Sequence, residues 1–72
     1  MIAEQLRVAV QEAIWRRGVQ QAELARRTGL SEAQISRFRR GERSLSLEAI
    51  DKVLDVLGLE VVIRPRRARE GV

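Results

Sequence analysis

The chain has 72 residues and a formal net charge of +4, and it contains no cysteine, histidine or tyrosine. That length holds one small domain, whose single core rarely supplies more than about 3–5 kcal/mol, so a second copy is a natural source of further stability. The missing residue types exclude a disulfide frame and an ordinary zinc site, and no apolar run approaches the roughly 20 residues of a membrane span. With no signal-peptide h-region at the start, the expectation is a soluble, cytoplasmic protein. The basic balance suits a polyanion. It comes from two arginine clusters: Arg37, Arg39, Arg40 and Arg43 in mid-chain, and Arg64, Arg66, Arg67 and Arg69 near the end.

In chain order, the first predicted element is a helix over residues 2–17. Ile2, Leu6, Val10, Ala13 and Ile14 repeat at helical spacing as one apolar stripe. Val8 and Trp15 lie beside that stripe. Trp15 reads as a partly buried packing residue rather than a platform for bases, since aromatics make up 3% of the chain. Gly18 ends this helix.

The next stretch, Gln21 to Gly41, reads QAELARRTGLSEAQISRFRRG. A helix over 21–28 turns Ala22, Leu24 and Ala25 inward and breaks at Gly29, where a left-handed backbone costs glycine little. Leu30 follows, and Ser31 is a good N-cap for a helix over 32–40. That helix sets Ile35 and Phe38 on one side and Gln34, Arg37 and Arg40 away from it. Gly41 stops it. Two short helices around a glycine turn make a helix-turn-helix, whose second helix fits the DNA major groove.

Residues 42–45 form a loop carrying Arg43 and Ser44. Ser46 caps a further helix over 47–57, with Leu47, Ile50, Val53, Leu54 and Leu57 as its stripe and Gly58 as its end. The period then changes: Leu59, Val61 and Ile63 alternate with Glu60, Val62 and Arg64 up to Pro65, which predicts a strand. A lone strand has nowhere to satisfy its backbone. Its simplest partner is the same strand of a second copy across a two-fold axis, making Leu59, Val61, Val62 and Ile63 dimerisation candidates. Augmentation of another protein's sheet, or a short helix packed on its own domain, stays open. Residues 66–72 are expected as a flexible basic tail.

The segment QAELARRTGLSEAQISRFRRG resembles the phage-repressor and Cro type of helix-turn-helix, often labelled XRE. The likeness runs from about Gly18 to Gly58 and takes in the GVQQAELA opening and the LSLEAIDKVLDVLGL helix. It implies a mainly α, four- or five-helix domain over 1–58 that binds operator DNA as a dimer, and small antitoxins of the family similarly end in a strand that joins the dimer. By resemblance, Ser31, Glu32, Ala33 and Arg37 occupy base-reading positions, with Gln34 close by. Arg37 can fork onto guanine, Glu32 can accept from cytosine, Ala33 can touch a thymine methyl and, if it faces the groove, Gln34 can pair with adenine. The other reading of Glu32 is a first-turn acid that offsets the helix dipole, which ranks Arg37 ahead of it as a base reader. Gln20, Gln21, Ser36, Arg39, Arg40 and Arg43 are the candidate phosphate contacts, Gln21 being either that or a plain helix-start residue. One departure matters: where many members hold an arginine–glutamate ion pair, this chain has Ile14 and Arg39. Ile14 is then expected in the core and Arg39 free to reach a phosphate.

An enzyme is not expected, because the serines have no base beside them and no phosphate-binding glycine loop or metal-ligand spacing appears. No cofactor is expected either. The leading expectation is a homodimeric, sequence-specific repressor on an inverted-repeat operator. The alternative is an antitoxin that neutralises a toxin protein and represses its own operon. A membrane-surface element is disfavoured by the capped short helices.

Overall fold

The computed structural model describes residues 2–65. Four helices follow one another: α1 (Ile2–Arg17), α2 (Gln21–Thr28), α3 (Glu32–Arg39) and α4 (Leu47–Leu57). α2 packs on both α3 and α4, and α1 packs on α4 and α3, so the helix-turn-helix rests on a base made by the first and last helices.

One core joins all four helices. Val10, Ala13 and Ile14 of α1 meet Leu24 and Ala25 of α2, Ile35 and Phe38 of α3, and Val53, Leu54 and Leu57 of α4. Leu24 and Leu57 are wholly buried. Burying a leucine side chain removes roughly 1.5–3 kcal/mol of apolar exposure, and a domain this small depends on a few such residues. Ile14 lies in this core, as expected, so the helix packs there through dispersion and burial alone.

The turn between α2 and α3 is closed by a residue that periodicity did not single out. Thr28 is buried; its hydroxyl donates to the Leu24 carbonyl at 2.7 Å and accepts from the Leu30 amide at 3.3 Å. Gly29 follows at φ +79°, and its amide donates to the Ala25 carbonyl. A side chain at this φ would be strained, which is why glycine stands there.

Several sequence expectations are corrected. Trp15 is not partly buried but 87% exposed. At about 100° per residue it lies far round the helix from Val10 and Ile14, on the outer side with Val8. Ala22 faces solvent for the same reason, being about 200° from Leu24. Ile2 and Leu47 are exposed because each sits in the first turn of its helix, beyond the end of the core. α3 stops at Arg39, one residue short of the expected end, with Arg40 as its C-cap and Gly41 at φ +76°.

Beyond Gly58 the Leu59 amide donates to the Leu54 carbonyl at 2.8 Å, closing α4. Among the described residues no strand is formed, and residues 59–65 run without regular structure. Leu59 packs on the core, whereas Val61, Val62 and Ile63 are exposed. Among the described residues the expected strand has no pairing partner. The expected tail, 66–72, lies outside the described residues.

Candidate nucleic-acid interface

The presented surface follows from the burial of α3. Ile35 and Phe38 fix its inner side, so the 3.6-residue period places Ala33, Ser36, Arg37 and Arg40 on the outer stripe. Ala33, Arg37 and Arg40 are exposed, and Ser36 is half-buried. Glu32 and Arg39 lie on the flank beside α2, while Gln34 lies on the other flank beside the loop after α3.

At its N-terminus α3 has a full capping box. The Gln34 amide donates to Ser31 Oγ at 3.1 Å, and the Ser31 amide donates to Gln34 Oε1 at 2.9 Å. Two otherwise orphaned N–H groups are satisfied reciprocally. The same bonds commit Ser31 Oγ and Gln34 Oε1 to the helix. A two-point contact with adenine needs both ends of the glutamine amide, and in the free protein one of them, Oε1, is engaged by the Ser31 amide.

The α2-side flank is held by Gln21. Its Nε2 donates to the Glu32 carbonyl at 3.5 Å, and its Oε1 accepts from Arg39 Nη1 at 3.1 Å. Gln11 of α1 adds a third tie, its Nε2 donating to the Arg39 carbonyl at 3.2 Å. Arg39 is therefore not free, as expected from the sequence, but bound to the first residue of α2. Gln20, before it, is exposed and makes no side-chain capping bond.

At the C-terminal end of α3, Arg40 forks onto Glu42. Nε donates to Oε2 at 2.7 Å and Nη2 to Oε1 at 3.3 Å, while Nη1 donates to Ser36 Oγ at 2.6 Å. The hydrogen bond from Arg40 holds the Glu42 carboxyl below its ordinary 4.5, against an opposing loss of hydration and with lesser help from the charges of Arg40 and Arg37. Arg40 is in turn stabilised further in its charged form, first by that bond and then by the Glu42 charge. Arg40 and Ser36 are thus occupied by a local pair in the free protein.

Arg37 stands apart from these pairs. Among the described residues its guanidinium makes no hydrogen bond and no salt bridge, and with Gln34, Arg43, Ser44 and Leu45 it lines a shallow concavity. Arg43 is exposed on the loop beside it. Arg37 on the outer stripe and Arg43 on the loop beside it, both without a side-chain partner among the described residues, are donors of the type that meets base edges and phosphate oxygens. Sequence reading missed Thr28 and Gln11. Thr28 carried a signal in its place four residues after Leu24, where a hydroxyl bonds back to the helix carbonyl; Gln11 carried none.

A capped, outward-facing second helix over a braced first helix defines a DNA-binding helix-turn-helix. The helix-turn-helix family model matches residues 11–63, and the chain belongs to this family in its phage-repressor and Cro (XRE) form, a family of DNA-binding transcriptional regulators. No curated protein and no solved structure matches the chain. Among the described residues no helix is long and apolar enough to cross a membrane.

Proposed function

We propose that this protein is a sequence-specific repressor that binds double-stranded DNA as a homodimer on an inverted-repeat operator. The observation that carries this reading is Arg37: exposed, unpaired among the described residues, and set on the outer stripe of a helix held at its start by the Ser31 capping box and along its flank by Gln21. Arg37 reads guanine, Ala33 and Glu32 set the neighbouring preferences, and Arg43 with Gln20 contacts phosphates. Two copies then read half-sites about one helical turn, roughly 34 Å, apart. Titration of a duplex carrying such a repeat tests this, with two chains per duplex expected. One chain per duplex at saturation, or indifference to half-site spacing, contradicts it.

The second reading is an antitoxin that also represses its own operon, and Trp15 favours it. This side chain is 87% exposed on the outer face of α1, together with Val8, where neither the core nor the DNA-facing stripe uses it. An exposed tryptophan is the kind of side chain that anchors protein interfaces. Co-expression with the product of an adjacent reading frame tests the reading: Trp15→Ala is expected to lose protection from that product while DNA binding persists. Equal protection by both forms removes Trp15 as its support.

A further inference from the structure

We propose that the groove beside Trp15 takes a protein segment carrying an apolar side chain next to a carboxylate, and that this carboxylate draws Arg39 away from Gln21. This rests on Trp15 as a protein-binding anchor, the second reading above, and gives the chemistry and the consequence of that contact.

Gln11, Glu12, Trp15 and Arg16 of α1 line the groove on one side and Arg39 of α3 on the other. A second hollow continues from Glu12 past Val8 along the same helix. Val8, Glu12 and Trp15 are four and three residues apart and so share one stripe of α1. The stripe thus offers a bound segment the apolar surface of Val8 and Trp15, both left exposed by the core.

The end of the groove at Trp15 is rich in donors. Among the described residues Trp15 Nε1 makes no hydrogen bond, and Arg39 uses only Nη1 of its guanidinium. Glu12 is the one acid of the lining against two arginines. It lies 3.9 Å from Arg16 with both side chains well exposed, a pair that holds neither group firmly. A carboxylate matches this set of donors, since guanidinium groups grip it by two parallel bonds. A DNA phosphate would satisfy the arginines but leave the indole face without an apolar partner, so a protein segment is the fitting occupant.

Arg39 ties the groove to the DNA-facing helix. In the free protein its Nη1 donates to Oε1 of Gln21, a neutral amide, at 3.1 Å. A hydrogen bond between two charged groups is roughly twice as strong as one to a neutral acceptor, so an arriving carboxylate wins the guanidinium. Of these ties Gln21 then keeps the 3.5 Å bond to the Glu32 carbonyl, and Gln11 keeps the one to the Arg39 carbonyl. Docking at Trp15 therefore loosens the brace on α3 and weakens DNA binding. By linkage, bound DNA weakens docking by the same factor.

A displayed library of random peptides, selected on the full chain and depleted on Trp15→Ala, tests this. The recovered peptides are expected to share an aromatic or aliphatic residue beside Asp or Glu. Trp15 is the chain's one tryptophan and there is no tyrosine, so its fluorescence reads the groove alone as a recovered peptide is titrated. Arg39→Gln is expected to weaken that peptide about tenfold and Gln21→Ala to tighten it about fivefold, with circular dichroism checking the helices. Peptides without an acid, or one indifferent to Gln21→Ala, overturn the proposal. Recovery of no Trp15-dependent peptide overturns it as well, and duplex DNA that quenches Trp15 in that case assigns the groove to DNA. Peptides that behave as expected, with protection in co-expression unchanged by Trp15→Ala, remove the antitoxin reading and leave the groove in place.

Discussion

Arg39, in the last turn of α3, donates from Nη1 to Oε1 of Gln21 at 3.1 Å, joining the end of one helix to the start of another eighteen residues earlier. The same glutamine reaches the Glu32 carbonyl at the opposite end of α3. One side chain thus braces both ends of the helix that carries Arg37. Gln21→Ala is expected to lower stability by about 1 kcal/mol, as loss of half-exposed hydrogen bonds does, and to weaken binding to all duplexes alike. Arg39→Ala is expected to act in the same direction. Because the two share one bond, the double variant should fall short of the sum, which a double-mutant cycle of urea melts measures.

Gln34 and Arg37 are three residues apart on one helix, yet they should behave differently. Gln34 spends its Oε1 on the Ser31 amide, so Gln34→Ala is expected to cost about 0.5–1 kcal/mol in a thermal melt, in the range of a lost cap. Its sequence preference should stay that of the parent. Binding selectivity that changes at one base pair would return Gln34 to the base-reading set.

Glu42 restrains Arg40. Its carboxyl titrates below 4.5 in the folded chain, so the stabilisation from the pair is fully present above that value and is lost as pH falls through the lower folded one. At neutral pH the pair is therefore ionised and intact. Glu42→Gln is expected to release the Arg40 fork toward phosphate, raising affinity on every duplex and steepening the salt dependence by about 0.9 in log–log slope. An unchanged slope would show that Arg40 stays off the DNA.

Leu24 is wholly buried at the centre of the four helices. Leu24→Ala is expected to cost about 2–5 kcal/mol, comparable to the whole stability of a core this size. Loss of the helical circular dichroism signal at low protein concentration is the expected result; a cooperative melt near that of the parent would contradict the packing described.

Much of the fold was legible because α2, the turn and α3 depend on local chemistry. Gly29, Ser31 and the Ile35/Phe38 spacing each announce a cap or an inner face. Trp15, Ala22 and Leu47 were harder, since an apolar side chain at a helix edge or end reads the same in sequence whether neighbours cover it or not. The candidate site divided along the same line. Arg37 stood out from its position on the helix, whereas the engagement of Arg39 by Gln21 and of Arg40 by Glu42 depends on side-chain reach, which spacing alone does not carry. Residues 59–65 read as a strand because alternation is local, but pairing needs a second backbone, and none lies against them among the described residues.

The central claim is that α3 reads DNA sequence through Arg37. Selection of bound duplexes from a randomised pool, run in parallel with the parent and Arg37→Ala, tests it most directly. The account predicts an inverted repeat for the parent and relaxed preference at one position of each half-site for the variant, at a cost of about 1–3 kcal/mol. Recovery of no motif, or a variant that weakens uniformly on all sequences, would contradict it and make Arg37 a phosphate contact.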